Sequence, residues 1–445
     1  MILAAGQSAI KKRPSAGVGY ACILLGIPEA RLRSLILKRA SHAELESVIM
    51  HNLNALQVML DYNFRHGIYL FRISSDIIPL ASHPAMDFPW QKRFASRLAE
   101  IGAQARVAGI RLSMHPGQYT VLSSPDAEVV KRSIADLIYH ADFLELLGMD
   151  RTSRIILHLG GAYGDKASAT ERFAAAVKDL PHSVQERLTL ENDERTYHIA
   201  DVIEAAKVTG LPVIFDNLHH CLNSPDQSRT GAMSEGDWIR RARITWRAEH
   251  GKQKLHYSQP DSTKRPGAHS LTIGVAEFAR WYQENALDSL GVDVMLEVKD
   301  KNLSAIKCGQ VLLGDVPADS LLSQQNQLEA LLLSRDDAAT TGPNKESAPQ
   351  DFLAYWSGIE IILNKSSTRD GLKKVLDWFA SNYTNYMDKR QKIFYQKLYR
   401  EADSSSASDE LEKRVADFMR RIAETYRLPE LAAQYFLIYS ALRNR

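Results

Sequence analysis

The sequence predicts a TIM-type (β/α)8 barrel, an α/β fold, with an additional C-terminal helical region. Three observations predict it. From residue 18 onward, short β-branched runs alternate with helical patterns, the signature of parallel strands joined by crossover helices. Eight such β-then-α units can be counted before residue 310, the number a closed barrel needs. In six of the strands a His, Glu or Asp comes at or toward the C-terminal end of the apolar run. In a barrel those ends converge on one face, whereas in an open doubly wound sheet they would spread along an edge.

Each element follows in order. Residues 1–17 contain a short apolar stretch ahead of "KKRP", which inverts the order of a secretory signal, and they are expected to be a flexible N-terminal segment. The strands are "VGYACILL" (18–25), "IYLFRISS" (68–75), "IRLSMH" (110–115), "RIILHLG" (154–160), "RLTLEND" (187–193), "PVIFDN" (212–217), "QKLHYSQ" (253–259) and "DVMLEVKD" (293–300). Between them lie amphipathic stretches such as "SRLAEIGAQARVAG" (96–109) and "SIADLIYHADFLELLG" (133–148), the second closing on Gly148 as a helix C-terminus does. The barrel is assigned to residues 18–310. Residues 311–350, which include most of the polar, turn-rich "SRDDAATTGPNKESAPQD" (334–351), are expected to be a linker. Residues 351–445 form the helical C-terminal region, rich in Tyr, Phe, Lys and Arg. Its basic and aromatic mixture suits contact with DNA or another protein, or a solvated helix face over an aromatic core.

Composition narrows the function classes. A chain of 445 residues, 45% hydrophobic, can bury a large core. With 55 basic against 53 acidic residues the net charge is only +2, so binding to a polyanion must depend on local patches. Cys22, Cys221 and Cys308 have no paired spacing, which argues against disulfides or a thiolate zinc site and for a reducing compartment. No run is long enough to span a bilayer. A monomeric cytoplasmic protein is expected, associated with the nucleoid if it acts on DNA. In a eukaryotic cell "KKRP" would be a nuclear address.

The chemistry lies at the strand ends. His115, His158, Glu191, Asp216, His219, His256, His269 and Glu297 sit in or just after predicted strands. So many polar groups on one face would be costly without a shared partner, and a multinuclear metal centre supplies one. Imidazoles mixed with carboxylates suit Zn, Mn or Fe rather than Ca, and a carboxylate such as Glu191 can bridge two cations. Such a cluster binds phosphate oxygens and acidifies a water, which points to phosphodiester hydrolysis. In "MHPGQYTVLSSP" (114–125) a strand-end His runs into a Pro-Gly turn followed by Gln118 and Tyr119. This is either a tight loop with an exposed aromatic or a probe that hydrogen-bonds base edges and wedges into an unstacked step. Lys264 and Arg265, in "STKRPGAHS", flank His269 on the same face, where phosphates would approach. The arginines at 240, 241, 243 and 247 read more simply as a solvated helix face.

Taken together, "FRISSDIIPLASHP", "RLSMHPGQYTVLSSP", "LENDE", "FDNLHH", "KLHYS" and "VMLEVKDK" resemble the UV damage endonuclease family, in the family's order over residues 18–310. The resemblance implies a TIM barrel related to endonuclease IV that nicks double-stranded DNA 5′ of UV photoproducts, using up to three divalent ions. Manganese is the implied metal, with zinc or a mixed set as the alternative. It makes the eight strand-end residues metal ligands, with Glu191 as the bridge. His83 is then a histidine at the scissile phosphate, and Lys254 an active-site lysine able to carry a carbon dioxide adduct. Gln118 and Tyr119 match the pair that enters the duplex where damaged bases are flipped out, and Tyr20 matches a groove-lining tyrosine. Leu24 stands where the family commonly has Asn. His220 matches no ligand and is read as supporting or packing. Two competing readings are a xylose isomerase-like metal-dependent sugar isomerase or epimerase, whose sites lean on carboxylates, and a lesion-binding module without catalysis, which would need a lost ligand.

Overall fold

A computed structural model describes residues 17–225, 233–314, 318–335, 349, 351–404 and 409–443 of the chain. Eight parallel strands close into a barrel in sequence order: β1 (Gly17–Ala21), β2 (Leu70–Ile73), β3 (Arg111–Met114), β4 (Arg154–His158), β5 (Leu188–Glu191), β6 (Val213–Asp216), β7 (Lys254–Tyr257) and β8 (Asp293–Leu296). Closure is made by β1 on β8, with Gly17 opposite Asp293 and Tyr20 opposite Leu296. The eight expected strands are all present, each within the run that predicts it except β1, which begins one residue earlier, at Gly17.

The crossover layer is α1 (His42–Arg65), α2 (Trp90–Val107), α3 (Ala127–Leu146), α4 (Lys166–Asp179), α5 (His182–Gln185), α6 (Ile199–Thr209), α7 (Asn217–Leu222), α8 (Glu235–Arg243), α9 (Val275–Glu284), α10 (Leu287–Leu290) and α11 (Asn302–Leu313). After it come α12 (Ala318–Ser334), α13 (Phe352–Leu363), α14 (Arg369–Tyr383), α15 (Lys389–Ser404), α16 (Asp409–Tyr426), α17 (Pro429–Ala432) and α18 (Tyr435–Arg443). Helix α3 stops where the sequence says, at Gly148, whose φ of 67° is the left-handed conformation that glycine adopts without a steric penalty. Part of the expected linker is not a linker: residues 318–334 are helical, and Leu328, Ala330 and Leu331 pack into the core. Residues 315–317, 336–348 and 350 of that segment lie outside the described residues, as do residues 1–16.

The period of two along a strand decides which side chains face the barrel axis. Tyr20, Phe71, Leu112, Ile155, Leu157, Leu190 and Phe215 point outward into the single large hydrophobic cluster shared with the helices. The alternate positions fill the interior, and there the barrel is unusually polar. Only a small group of Ala21, Leu70 and Met295 forms a separate apolar cluster. Toward the N-terminal ends of the strands, the buried guanidinium of Arg111 donates to Asp293 Oδ2 and to the carbonyls of Thr152, Lys252 and His250, each at 2.8–2.9 Å. Arg154, also buried, donates to Thr189 Oγ1 and to the carbonyls of Arg151, Glu186 and Leu188. These forks satisfy the orphan carbonyls below the barrel and leave its upper interior to the candidate ligands. Among the described residues no helix is long and apolar enough to cross a membrane.

Candidate metal centre

Strand ends deliver the centre directly. His158, Glu191 and Asp216 are the last residues of β4, β5 and β6, and His256 lies in β7. His115 and Glu297 follow β3 and β8, His219 is in α7, and His269 is on the β7–α9 loop, where it bridges to Pro260. Three groups of donor atoms have their members within 4.8 Å of one another: His115, His158 and Glu191; Glu191, His256 and Glu297; and Glu191, Asp216 and His219. Glu191 belongs to all three. Its Oε1 lies 2.6 Å from His256 Nδ1 and 3.9 Å from His219 Nδ1, and its Oε2 lies 3.1 Å from His115 Nε2 and 3.8 Å from His158 Nε2. His269 joins from the rim, with Nε2 4.0 Å from Glu297 Oε2.

The electrostatics suit a cation. Burial would raise the Glu191 carboxyl, but His256 and His158 beside it, with hydrogen bonds from His115 and His256, hold it well below the carboxylate range. Burial raises Asp216, and the neighbouring Glu191 and Glu297 carboxylates raise it further. His219 is lowered by burial but raised more by Asp216 and Glu191, reaching about 9. Asp216 Oδ2, on the same face, is buried without a hydrogen-bond partner. An unpartnered carboxylate oxygen among converging carboxylates and imidazoles is what a divalent ion would satisfy, so the residues present fit the group the sequence implies.

Surrounding contacts fix the ligands' orientation. His219 Nδ1 faces the Asn192 carbonyl at 2.8 Å, and His269 Nδ1 faces the Glu297 carbonyl at 2.6 Å. Each ring then has Nε2 left to act as a ligand. The Asn192 amide grips the Asp216 backbone from both sides, accepting from its N–H and donating to its carbonyl. Asn217 does the same to Ser258. Two contributors escape sequence reasoning. Arg72, inside the β2 run, lies 2.5 Å from Glu297 Oε1 and is mostly buried. Asp136 of α3, also buried, accepts from Thr120 Oγ1 at 2.7 Å and from Ser82 Oγ at 2.8 Å. Thr120 borders the Gln118–Tyr119 pair and Ser82 borders His83, so one carboxylate ties the β2–α2 and β3–α3 loops together.

The remaining candidates fall into three placements. Gln118 and Tyr119 are exposed on the same face, Tyr119 at 68%. Gly117 supports the tyrosine ring closely, since a Cβ there would meet Cε1 at 2.3 Å. Lys264 and Arg265 are exposed on the loop before His269. His83 is exposed too, and its Nδ1 accepts from Ala85 N at 3.1 Å within its own loop, outside the three donor groups. Lys254 is fully buried two residues before His256, with Nζ unpartnered. Burial, and the charges of Arg111, Arg72 and Arg154, hold its amine well below the usual lysine range. Tyr20 is not brought to this face. Its neighbours Gly19 and Ala21 take the interior positions, so Tyr20 points into the helix layer, fully buried, with its hydroxyl donating to Asn63 Oδ1 at 2.9 Å. It has no surface to offer a groove. His220 packs its ring 5.0 Å from that of Phe215, outside the barrel. The 240–247 arginines lead into the N-terminal end of β7, at the opposite end of the barrel from the ligands.

The family model of the UV-endonuclease UvdE matches residues 26–314. The chain belongs to this family. A UV DNA damage endonuclease of Clostridium perfringens is 36% identical over 403 residues, covering 89% of this chain and 95% of that one. That share of the chain necessarily takes in much of the C-terminal helical region. A putative UV-damage endonuclease of Acanthamoeba polyphaga mimivirus is 34% identical, covering 65% of this chain and 89% of its own. Among solved structures, that of SacUVDE is 36% identical with a TM-score of 0.62, covering 67% of this chain and 98% of the other.

Proposed function

We propose that the chain is a divalent-metal-dependent endonuclease that incises DNA immediately 5′ of UV photolesions, leaving a 3′-hydroxyl and a 5′-phosphate and so initiating excision repair. The substrates would be cyclobutane pyrimidine dimers and 6-4 photoproducts, with abasic sites as a further class. The observation that carries the reading is the placement of Glu191 in all three donor groups, in a chain of the UV-endonuclease family. Such a shared carboxylate suits a multinuclear site acting on a phosphodiester.

Divalent cations, manganese first among the candidates, would supply Lewis acidity and charge neutralisation for in-line displacement at phosphorus. The chain's own residues do the rest. His115, His158 and Glu191 form one donor set, Glu191, Asp216 and His219 a second, and Glu191, His256 and Glu297 a third, with His269 beside it. Arg72 balances the charge of Glu297. Lys254, whose burial favours the neutral amine, would add carbon dioxide at Nζ and release a proton, turning an uncharged amine into a carbamate anion beneath the cluster. His83 would reach a phosphate at the rim. Gln118 and Tyr119 would enter the duplex where the damaged bases leave it; a lesion that pairs poorly costs less to extrude than intact bases. Lys264 and Arg265 would contact the backbone. The sugar isomerase reading is less favoured by a donor set with five imidazoles and an exposed Gln-Tyr pair.

The test is incision of UV-irradiated and unirradiated supercoiled plasmid, with manganese and with chelator. Nicking is expected only of irradiated DNA with manganese, and sequencing-gel mapping should put the break 5′ of the lesion. Equal nicking of both plasmids, or full activity in chelator, would sink the assignment.

A further inference from the structure

The C-terminal helices are built onto the metal-bearing face. Gly26, in the loop after β1, sits so near that a Cβ there would meet Ile438 Cδ1 at 2.9 Å and Ala433 Cα at 3.1 Å. The buried Tyr439 hydroxyl donates to Asp300 Oδ2 at 2.9 Å. The next residue, Lys301, has φ of 50°, a conformation that a side chain-bearing residue keeps only when its surroundings enforce it. Helix α18 thus clamps the loop that follows Glu297. Arg31 Nη2 also approaches Glu424 Oε1 of α16, at 3.5 Å.

Between barrel and helices lies a cavity of about 700 Å³. At one end it is bounded by Arg72, His269 and Glu297, so it opens from the metal centre. Ile23 and Leu24 of the β1 loop form one side. Ala423, Leu437, Ile438 and Ala441 of the C-terminal helices face them. Arg31 and Lys264, both exposed at the side chain, and Lys301 bring positive charge to it. The volume falls within the ~300–1,000 Å³ of small-molecule sites. Apolar walls suit the faces of unstacked bases, and cations suit the phosphates that join them.

We infer that the C-terminal helices form the outer wall of the pocket that receives the extruded pyrimidine pair of the damaged strand, and so help set which lesions fit. The inference rests on the DNA-endonuclease reading above. Its probe is a duplex carrying one thymine dimer, compared with the same undamaged duplex, on the full-length manganese-loaded chain. Two substitutions remote from the metal ligands, Ala441→Trp and separately Ala432→Phe, fill the cavity from the helix side. Each should lower dimer incision by about tenfold or more, with melting temperature and manganese content retained. On the unsubstituted protein, hydrogen exchange should show α16 and α18 protected by the dimer duplex and not by the undamaged one. Unchanged exchange in both helices, or a folded variant that incises at the wild-type rate, overturns the inference. If the wild-type chain itself neither binds nor incises the dimer duplex, it is the endonuclease reading that fails.

Discussion

Replacing Glu191 by Gln removes one negative charge and keeps the side chain's volume. The loss is not confined to one ion, because the same carboxylate serves all three donor groups. At the 4.8 Å scale that encloses each group, a pair of unit charges at an effective dielectric of ~20 interacts by roughly 3.5 kcal/mol, and a divalent ion doubles that before desolvation is counted. Even the single-charge figure corresponds to about three-hundredfold in affinity. The amide also sets an N–H donor against an imidazole that needs an acceptor or a cation. Folding should survive, since relieving a buried charge offsets the lost contacts with His256 and His115. Equilibrium dialysis against manganese, read by elemental analysis, should therefore show the site largely empty at concentrations that fill the wild type, and nicking of irradiated plasmid should be abolished. A Glu191→Gln protein that binds manganese within about tenfold of wild type and nicks at full rate would refute the shared-ligand argument.

Three further outcomes are expected. Changing Gln118 and Tyr119 together to Ala should cut the preference for damaged over intact DNA by about ten- to a hundredfold, the ~1–3 kcal/mol of one base–aromatic stack, while manganese content stays constant; equal discrimination by both proteins counts against the wedge. Intact mass of gently handled protein should exceed the sequence mass by one carbon dioxide and lose it after acid treatment and in Lys254→Met; an unmodified, fully active protein excludes the adduct. Acid stability should depend on His250, which is buried and accepts the Arg247 N–H at Nδ1. Burial, with Arg154 nearby, lowers it to about 4. Its unfolded pKa is about 6.5, so the unfolded chain binds the proton first. The contribution to stability is complete above pH ~6.5 and is lost as the pH falls toward 4, at about 1.4 kcal/mol per pH unit. His250→Gln should flatten the decline of melting temperature with acid over that window; an unchanged slope refutes the attribution.

Much of the barrel was legible because its strands break a simple rule. Apolar runs ending in His, Glu or Asp are improbable as packing and sensible as ligands, so β3 to β8 show both their element type and their candidate ligands in a few residues. What stayed hidden was tertiary. Arg72 reads as one basic residue in an apolar run, and only closure of β8 on β1 puts Glu297 within its reach. The place of Tyr20 is a matter of strand parity. Once Arg72 is known to face inward, the register of Ala21 against Arg72 and Tyr20 against Phe71 sends the tyrosine outward. Helix α12 was lost among its Gln and Ser residues, whose helical stripe of leucines shows only when α14 and α18 cover it. Asp136 looked like one more acid on an amphipathic helix, and the two hydroxyls it holds come from loops 54 and 16 residues away in the chain.

That last carboxylate bears on how such an enzyme could be re-engineered. Ser82 and Thr120 share its two oxygens, and Ser75 Oγ meets both the His115 carbonyl and His140 Nε2 at 2.8 Å. The loops bearing His83 and the Gln118–Tyr119 pair are therefore not portable parts. A graft that transplants the Gln-Tyr pair from a relative has to bring the inner face of α3 and the loop after β2 with it. Otherwise it leaves a buried carboxylate unsatisfied and an exposed tyrosine without a foundation.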